Sequence, residues 1–193
     1  MGKFFAILGP SGVGKGTLIS IIKKKFPNFI FPISVTTRAP RKNEKNGENY
    51  YFFSEKKFLQ YLQKDKFLEF AQVHQKYFYG TLKSEILPHL SAGKNVIREV
   101  DVQGFEQISK KISAGNLVSV FLLPPNNNSE ILKKRILARA KISPQELENR
   151  LKSLEKEMPV AEKCDFKIKT VDGNKKFAFE EFKKILQRLE IKK

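Results

Sequence analysis

Five consecutive apolar residues, Phe4-Phe5-Ala6-Ile7-Leu8, stop abruptly at Gly9-Pro10, which is the pattern of a strand buried on both faces. Similar short runs bounded by turn residues predict core strands at about Lys3–Leu8, Asn95–Val100, Leu117–Leu123 and Phe166–Thr170. Between them apolar residues recur at helical spacing. Helices are predicted over roughly Thr17–Phe26, Lys83–Leu90, Gln103–Ile112, Ser129–Ala140, Pro144–Lys163 and Asn174–Leu189. Strands alternating with helices imply right-handed crossovers and an α/β fold, a mostly parallel sheet flanked by helices. Ligands in such folds bind at the carboxyl ends of the strands.

Two stretches break the rhythm. From Phe31 to about Thr81 short strand signals, clearest at Tyr50-Tyr51-Phe52-Phe53 and Phe67-Leu68-Glu69-Phe70-Ala71, surround one helix and read as an inserted α+β binding unit. From Asn126 to about Ser143 a polar, arginine-bearing excursion follows Pro124-Pro125 and reads as a helical lid. The expected organisation is a single domain over 1–193, with a core at about 1–33, 82–125 and 144–193, an insert at 34–81 and a lid at 126–143.

Composition narrows the setting. No apolar run approaches the ~20 residues of a membrane span, and the start of the chain carries a strand where a signal peptide would lie. The lone Cys164 excludes an intrachain disulfide, so a cytoplasmic protein is expected. A net charge of +17 raises the question of nucleic acid. The lysines, however, are spread through helical segments (Lys56-Lys57, Lys110-Lys111, Lys133-Lys134, Lys183-Lys184) as on solvated faces, so nucleic acid is disfavoured as a partner. A basic surface does favour association with phosphate-rich ligands. Arginine is confined to Arg38, Arg41, Arg98, Arg135, Arg139, Arg150 and Arg188, and bidentate phosphate recognition is a reason to use it there.

The chemistry is most explicit directly after the first strand. Gly9-Pro10-Ser11-Gly12-Val13-Gly14-Lys15-Gly16-Thr17 joins a strand to a helix through glycines, so that backbone N–H groups and a helix N-terminus can face a phosphate while Lys15 adds a full charge. This is a phosphate-binding loop of the P-loop NTPase type. Gly16 stands where a Ser or Thr hydroxyl would bind Mg²⁺, with Thr17 one place later. The ion is therefore expected to be held mainly by phosphates and water, with no direct protein ligand assigned.

Five segments stand in order along nearly the whole chain: Gly9–Thr17; Ser34–Arg41 with Gly47–Phe53; Phe67–Ala71 with Tyr79-Gly80-Thr81; Glu99–Gly104; and the arginines Arg135, Arg139 and Arg150. In these segments the chain resembles the guanylate kinases. The resemblance implies an enzyme that transfers the γ-phosphoryl group of ATP, with Mg²⁺, to GMP and by extension dGMP. It implies that Arg38, Arg41, Tyr50 and Tyr79 hold the acceptor phosphate. Glu69 would accept from the N1–H and amino group of guanine, Ser34 and Thr81 would offer hydroxyls around the base, and Asp101 would lie close by. Lys15, Arg41, Arg135, Arg139 and Arg150 would gather round the transferring group.

The acceptor phosphate is already largely ionised at neutral pH, its second pKa being ~6, so positioning and charge neutralisation carry the reaction and no strong base is needed. Adenine lacks N1–H and would leave Glu69 badly paired, the penalty by which such sites discriminate. Closure of insert and lid over the core is expected with both nucleotides bound, since water competes as nucleophile; unchanged interdomain distances in such a complex would contradict it. The segment Val73–Phe78 is about one residue longer than in the family and lacks its Gly-Asn pair, and Thr170 stands where an Asn often contacts adenine.

Other readings remain beside these. Pattern alone makes Glu69 the solvent face of an alternating strand, and simple strand packing is the alternative reading of Tyr50. His74 and His89 receive no role. A guanylate-kinase-like phosphopeptide-binding module, or a kinase for AMP or a pyrimidine nucleotide, are the competing functions.

Overall fold

A computed structural model describes the chain apart from residues 74–76, 126–128, 140–144, 146, 149–156 and 192–193. Its strands are β1 (Phe4–Leu8), β2 (Ser34–Thr36), β3 (Tyr50–Phe52), β4 (Phe67–Val73), β5 (Tyr77–Leu82), β6 (Val96–Glu99), β7 (Leu117–Leu123) and β8 (Phe166–Lys169). The helices are α1 (Lys15–Lys25), α2 (Glu55–Gln63), α3 (Leu87–Ser91), α4 (Val102–Ser109), α5 (Ser129–Arg139) and α6 (Phe177–Arg188). One sheet has the order β6-β1-β7-β8 and the other β3-β2-β5-β4. The chain is a mixed α/β protein whose four-stranded parallel sheet is flanked by helices. Its residues fall into two compact units, one of 1–4, 29–97 and 103–117, the other of 5–28, 98–102 and 118–193.

In the second unit β1 is buried along its whole length, as its unbroken apolar run requires. β7 pairs in parallel with β8 in the register Val120↔Phe166 to Leu123↔Lys169. The amphipathic α6 closes this core: Phe182 meets Phe5 edge-on at 5.6 Å, and Phe179 lies 6.2 Å from Phe26 at the end of α1. The three lysines in the last turn of α1 face the negative end of its dipole.

The first unit has its own core. Val35, Phe58, Phe67 and Leu82 are buried together, and Phe58 stacks on Phe67 at 4.3 Å and on Phe78 at 5.1 Å. β2 runs parallel to β3 but antiparallel to β5, and β4 and β5 form an antiparallel pair with Glu69 opposite Thr81. β4 lies at the sheet's edge, which is served by Gln107 of α4 and by Lys111 just beyond that helix. Gln107 accepts from Phe70 N (3.1 Å) and donates to Phe70 O (2.7 Å), while Lys111 donates to Phe67 O (3.0 Å) and Leu68 O (2.8 Å). Main-chain groups that would otherwise seek another strand are thereby satisfied.

Element ends differ from the sequence reading for local reasons. The helix expected over Lys83–Leu90 is a 3₁₀ turn, Lys83–Glu85, followed by α3, with Pro88 in the first turn of α3 where its missing N–H costs nothing. The end of the helix expected to reach Lys163 is 3₁₀ over Met158–Lys163. α6 begins at Phe177 rather than Asn174; its N-cap is Lys176, and Asn174 Oδ1 accepts from Lys176 N and Phe177 N just ahead of it.

Candidate active site

Two groups of the expected site residues assemble, one in each unit. In the second, β1 delivers the chain to Gly9, whose φ of 131° lies in the left-handed region and where a Cβ would stand 2.6 Å from Leu122 O. Gly14, at φ 115°, opens α1 as its N-cap and leaves the helix N-terminus without a side-chain cap. That end therefore offers its N–H groups and positive dipole to an anion. Lys15 folds back over the loop. Its Nζ donates to Gly9 O (2.5 Å) and Pro10 O (3.2 Å) and lies 3.6 Å from Glu99 Oε1.

Beside the loop is a cavity of about 410 Å³ lined by Gly12, Gly14, Thr17, Arg135, Thr170 and Asp172, a size suited to a small ligand. Arg135, on α5, donates to Asp172 Oδ1 at 2.7 Å and lies 3.5 and 3.4 Å from Gly12 O and Val13 O, the outer limit of a hydrogen bond. Thr170 is buried, and its hydroxyl donates to Leu123 O at 2.9 Å. Asp101 is exposed and belongs to this same unit. Glu157 has its carboxyl raised by burial, Lys15 opposing that shift and Asp101 adding to it, so three ionisable groups share the neighbourhood of the loop. Arg139 closes α5, and its side chain and Arg150 both lie outside the described residues.

In the first unit Glu69 is only 8% exposed, which overturns the solvent-face reading of its strand. Its partner comes from the neighbouring strand: Thr81, fully buried and directly opposite, donates its hydroxyl to Glu69 Oε1 at 2.5 Å. Ser34 starts β2 opposite Tyr50 on β3.

Arg38, Tyr50 and Tyr79 also come together. The Tyr50 and Tyr79 rings are 6.0 Å apart, and the Arg38 guanidinium lies 5.5 Å from the Tyr50 centroid. A hydrogen bond from Arg38 to Glu44, outweighing the cost of burial, holds the Arg38 pKa above its ordinary value, with Tyr79 acting in the same direction. Arg41 is exposed, and its backbone N–H donates to Glu44 Oε2 at 2.8 Å. The sequence reading missed Glu44, Gln107 and Asp172, because a polar residue in a loop or on an exposed helix face carries no signal of the partner it will meet.

The guanylate kinase family model matches residues 1–189. A guanylate kinase of Clostridium perfringens (strain 13 / Type A) is 40% identical over 185 residues, 96% of this chain and 82% of that protein. One from Helicobacter pylori (strain ATCC 700392 / 26695) is 43% identical over 167 residues, 86% of this chain and 79% of its own length. Among solved structures, that of guanylate kinase from Anaplasma phagocytophilum superposes with a TM-score of 0.73 at 26% identity, covering 99% of this chain and 87% of that one. With a phosphate loop in one unit and a buried Glu-Thr pair beside an arginine-tyrosine cluster in the other, this chain belongs to the guanylate kinase family.

Proposed function

We propose a division of labour for the family's reaction, transfer of the γ-phosphoryl group of ATP to GMP to give ADP and GDP. The loop Gly9–Thr17 takes the donor phosphates on its backbone N–H groups and on Lys15, whose Nζ must leave the carbonyls of Gly9 and Pro10 to do so. The donor base enters the cavity lined by Arg135, Thr170 and Asp172. Arg38, Arg41, Tyr50 and Tyr79 receive the acceptor phosphate of GMP, and dGMP, which carries the same phosphate and base, is a further acceptor to test. Glu69 reads the guanine edge with Ser34, Thr81 and Asp101 about the base. Arg41, Arg135, Arg139 and Arg150 join Lys15 in neutralising the transferring group.

The donor set fits a Mg²⁺ carried chiefly by phosphates and water. Gly16 has no hydroxyl, and the carboxylate of Glu99, whose Oε2 lies 3.9 Å from a Cβ placed at Gly16, is the protein group that would be near such an ion. Among the described residues no three His, Cys, Asp or Glu side chains converge as a protein-only metal site. When bound, the ion offsets phosphate charge.

The observation that carries the reading is the buried Glu69 with Thr81 in register opposite it: a carboxylate kept from water is built to receive donors, and guanine presents two. The experiment is ADP production from Mg²⁺-ATP with GMP, AMP, CMP and UMP offered separately. Turnover confined to GMP is expected. Folded protein that turns over none of the four would favour the phosphopeptide-binding module instead.

The reading places the protein in the cytoplasm. Among the described residues no helix is long and apolar enough to cross a membrane.

A further inference from the structure

The proposed acceptor-phosphate cluster contains a carboxylate that charge alone would keep out. A phosphate dianion arriving at Arg38 meets the repulsion of Glu44. Both Glu44 oxygens are nevertheless committed: Oε1 accepts from Arg38 Nη2 at 2.9 Å and Oε2 from Arg41 N at 2.8 Å. The backbone N–H of Glu44 donates to Arg41 O at 2.9 Å, so the turn that carries Arg41 is closed from both sides. The Arg38 and Glu44 side chains are 13% and 17% exposed, unlike the solvated Lys45–Glu48 pair beside them at 73% and 65%.

Arg38 is held elsewhere as well. Its Nη1 donates to Ala39 O at 2.7 Å, its backbone N to Thr36 Oγ1 at 3.2 Å, and its guanidinium lies 5.5 Å from the Tyr50 ring and 5.9 Å from the Phe52 ring. A flexible arginine is thereby fixed before any ligand arrives, with one edge of its fork against Glu44.

Resting on the acceptor-phosphate role assigned above, we propose that Glu44 is a positioning residue for phosphate recognition, aligning the Arg38 guanidinium and the Arg41 turn so that GMP is bound through its phosphate rather than its base alone. Position outweighs repulsion here because an unaligned fork must be ordered on binding, whereas this one is ordered already. The Arg38 guanidinium, and after it the Arg41 N–H, hold the Glu44 carboxyl below the usual carboxylate range, so the device stays charged at neutral pH.

The two influences of Glu44 predict opposite signs, which makes the test direct. Equilibrium binding of GMP and of guanosine, without ATP, is measured for the wild type, Glu44→Gln and Glu44→Asp. Glu44→Gln is expected to weaken GMP by about ten- to a hundredfold while leaving guanosine unchanged, and Glu44→Asp, which keeps the charge, to fall between. In turnover, the GMP KM of Glu44→Gln rises and the ATP KM does not. In an Arg38→Ala background Glu44→Gln costs less GMP binding than in the wild type, the remainder being its hold on the Arg41 turn.

GMP binding that is unchanged or tighter overturns the proposal, as does an equal loss for GMP and guanosine, the mark of a merely structural role. Wild-type protein that binds no GMP would overturn the acceptor reading itself, a distinct failure.

Discussion

The two units hold their charged residues in different ways. In the first, the groups assigned to GMP already hold one another: Thr81 donates to Glu69, and Arg38 is gripped by Glu44 beside Tyr50 and Tyr79. In the second, the cations assigned to ATP are spent on groups that a nucleotide must displace, Lys15 on the loop's own carbonyls and Arg135 on Asp172. Selecting a base requires fixed partners, since discrimination comes from leaving buried groups unpaired. Gathering a polyphosphate requires mobile charge that can be released and retaken. On that assignment the acceptor site is preorganised and the donor site provisional.

The largest effect that can break this contrast is at Lys15. Lys15→Ala is expected to lower kcat by about 10²–10³-fold, the scale for losing one transition-state charge partner, in a coupled assay of ADP release. A loss of only a few-fold would mean that its resting contacts with Gly9 and Pro10 are its actual task. Next comes Glu69→Gln, which keeps an acceptor for Thr81 but opposes guanine's donors with an amide. The kcat/KM for GMP should fall about ten- to a hundredfold while that for AMP does not, and parallel losses would show that Glu69 does not read the base.

The sequence carried the donor half better than the acceptor half for a physical reason. A phosphate loop is a local device: strand, glycine turn and helix follow one another within β1 and α1, and the residues that define it are neighbours in the chain. β7 likewise ends where its apolar run ends. Glu69 is the opposite case. Alternation along β4 assigns it to solvent, and only the antiparallel register that brings Thr81 opposite shows why a carboxylate can be buried there. Gln107, Glu44 and Asp172 were invisible for the same reason, since their significance lies in partners many residues or one turn away. Thr170 could be placed but not interpreted until its hydroxyl was seen donating to Leu123 O.

A smaller effect is expected where preorganisation is supplied indirectly. Gln107 bonds both the N–H and the C=O of Phe70, the residue after Glu69, and so holds the edge strand on which the proposed base reader sits. Gln107→Ala should raise the GMP KM about two- to tenfold and leave the ATP KM unchanged. An equal change in both would trace to general destabilisation, to be seen as a lowered Tm.

The smallest effect belongs to the donor side and has the opposite sign. Asp172 holds Arg135 through a 2.7 Å contact, but at 65% side-chain exposure that ion pair is mostly solvated and contributes little to stability. Hydrogen bonding to Arg135 lowers the Asp172 pKa, so the pair is intact above the ordinary carboxylate pKa and is lost only as pH falls through the lowered one. Neutral pH therefore never opens it, and a nucleotide must. Asp172→Asn removes that competitor and should lower the ATP KM about two- to threefold at low salt, with the advantage fading as salt screens the original pair. A raised ATP KM instead would make Asp172 part of the donor site in its own right, and the provisional character assigned to this unit would then fail at Arg135 while still holding for Lys15.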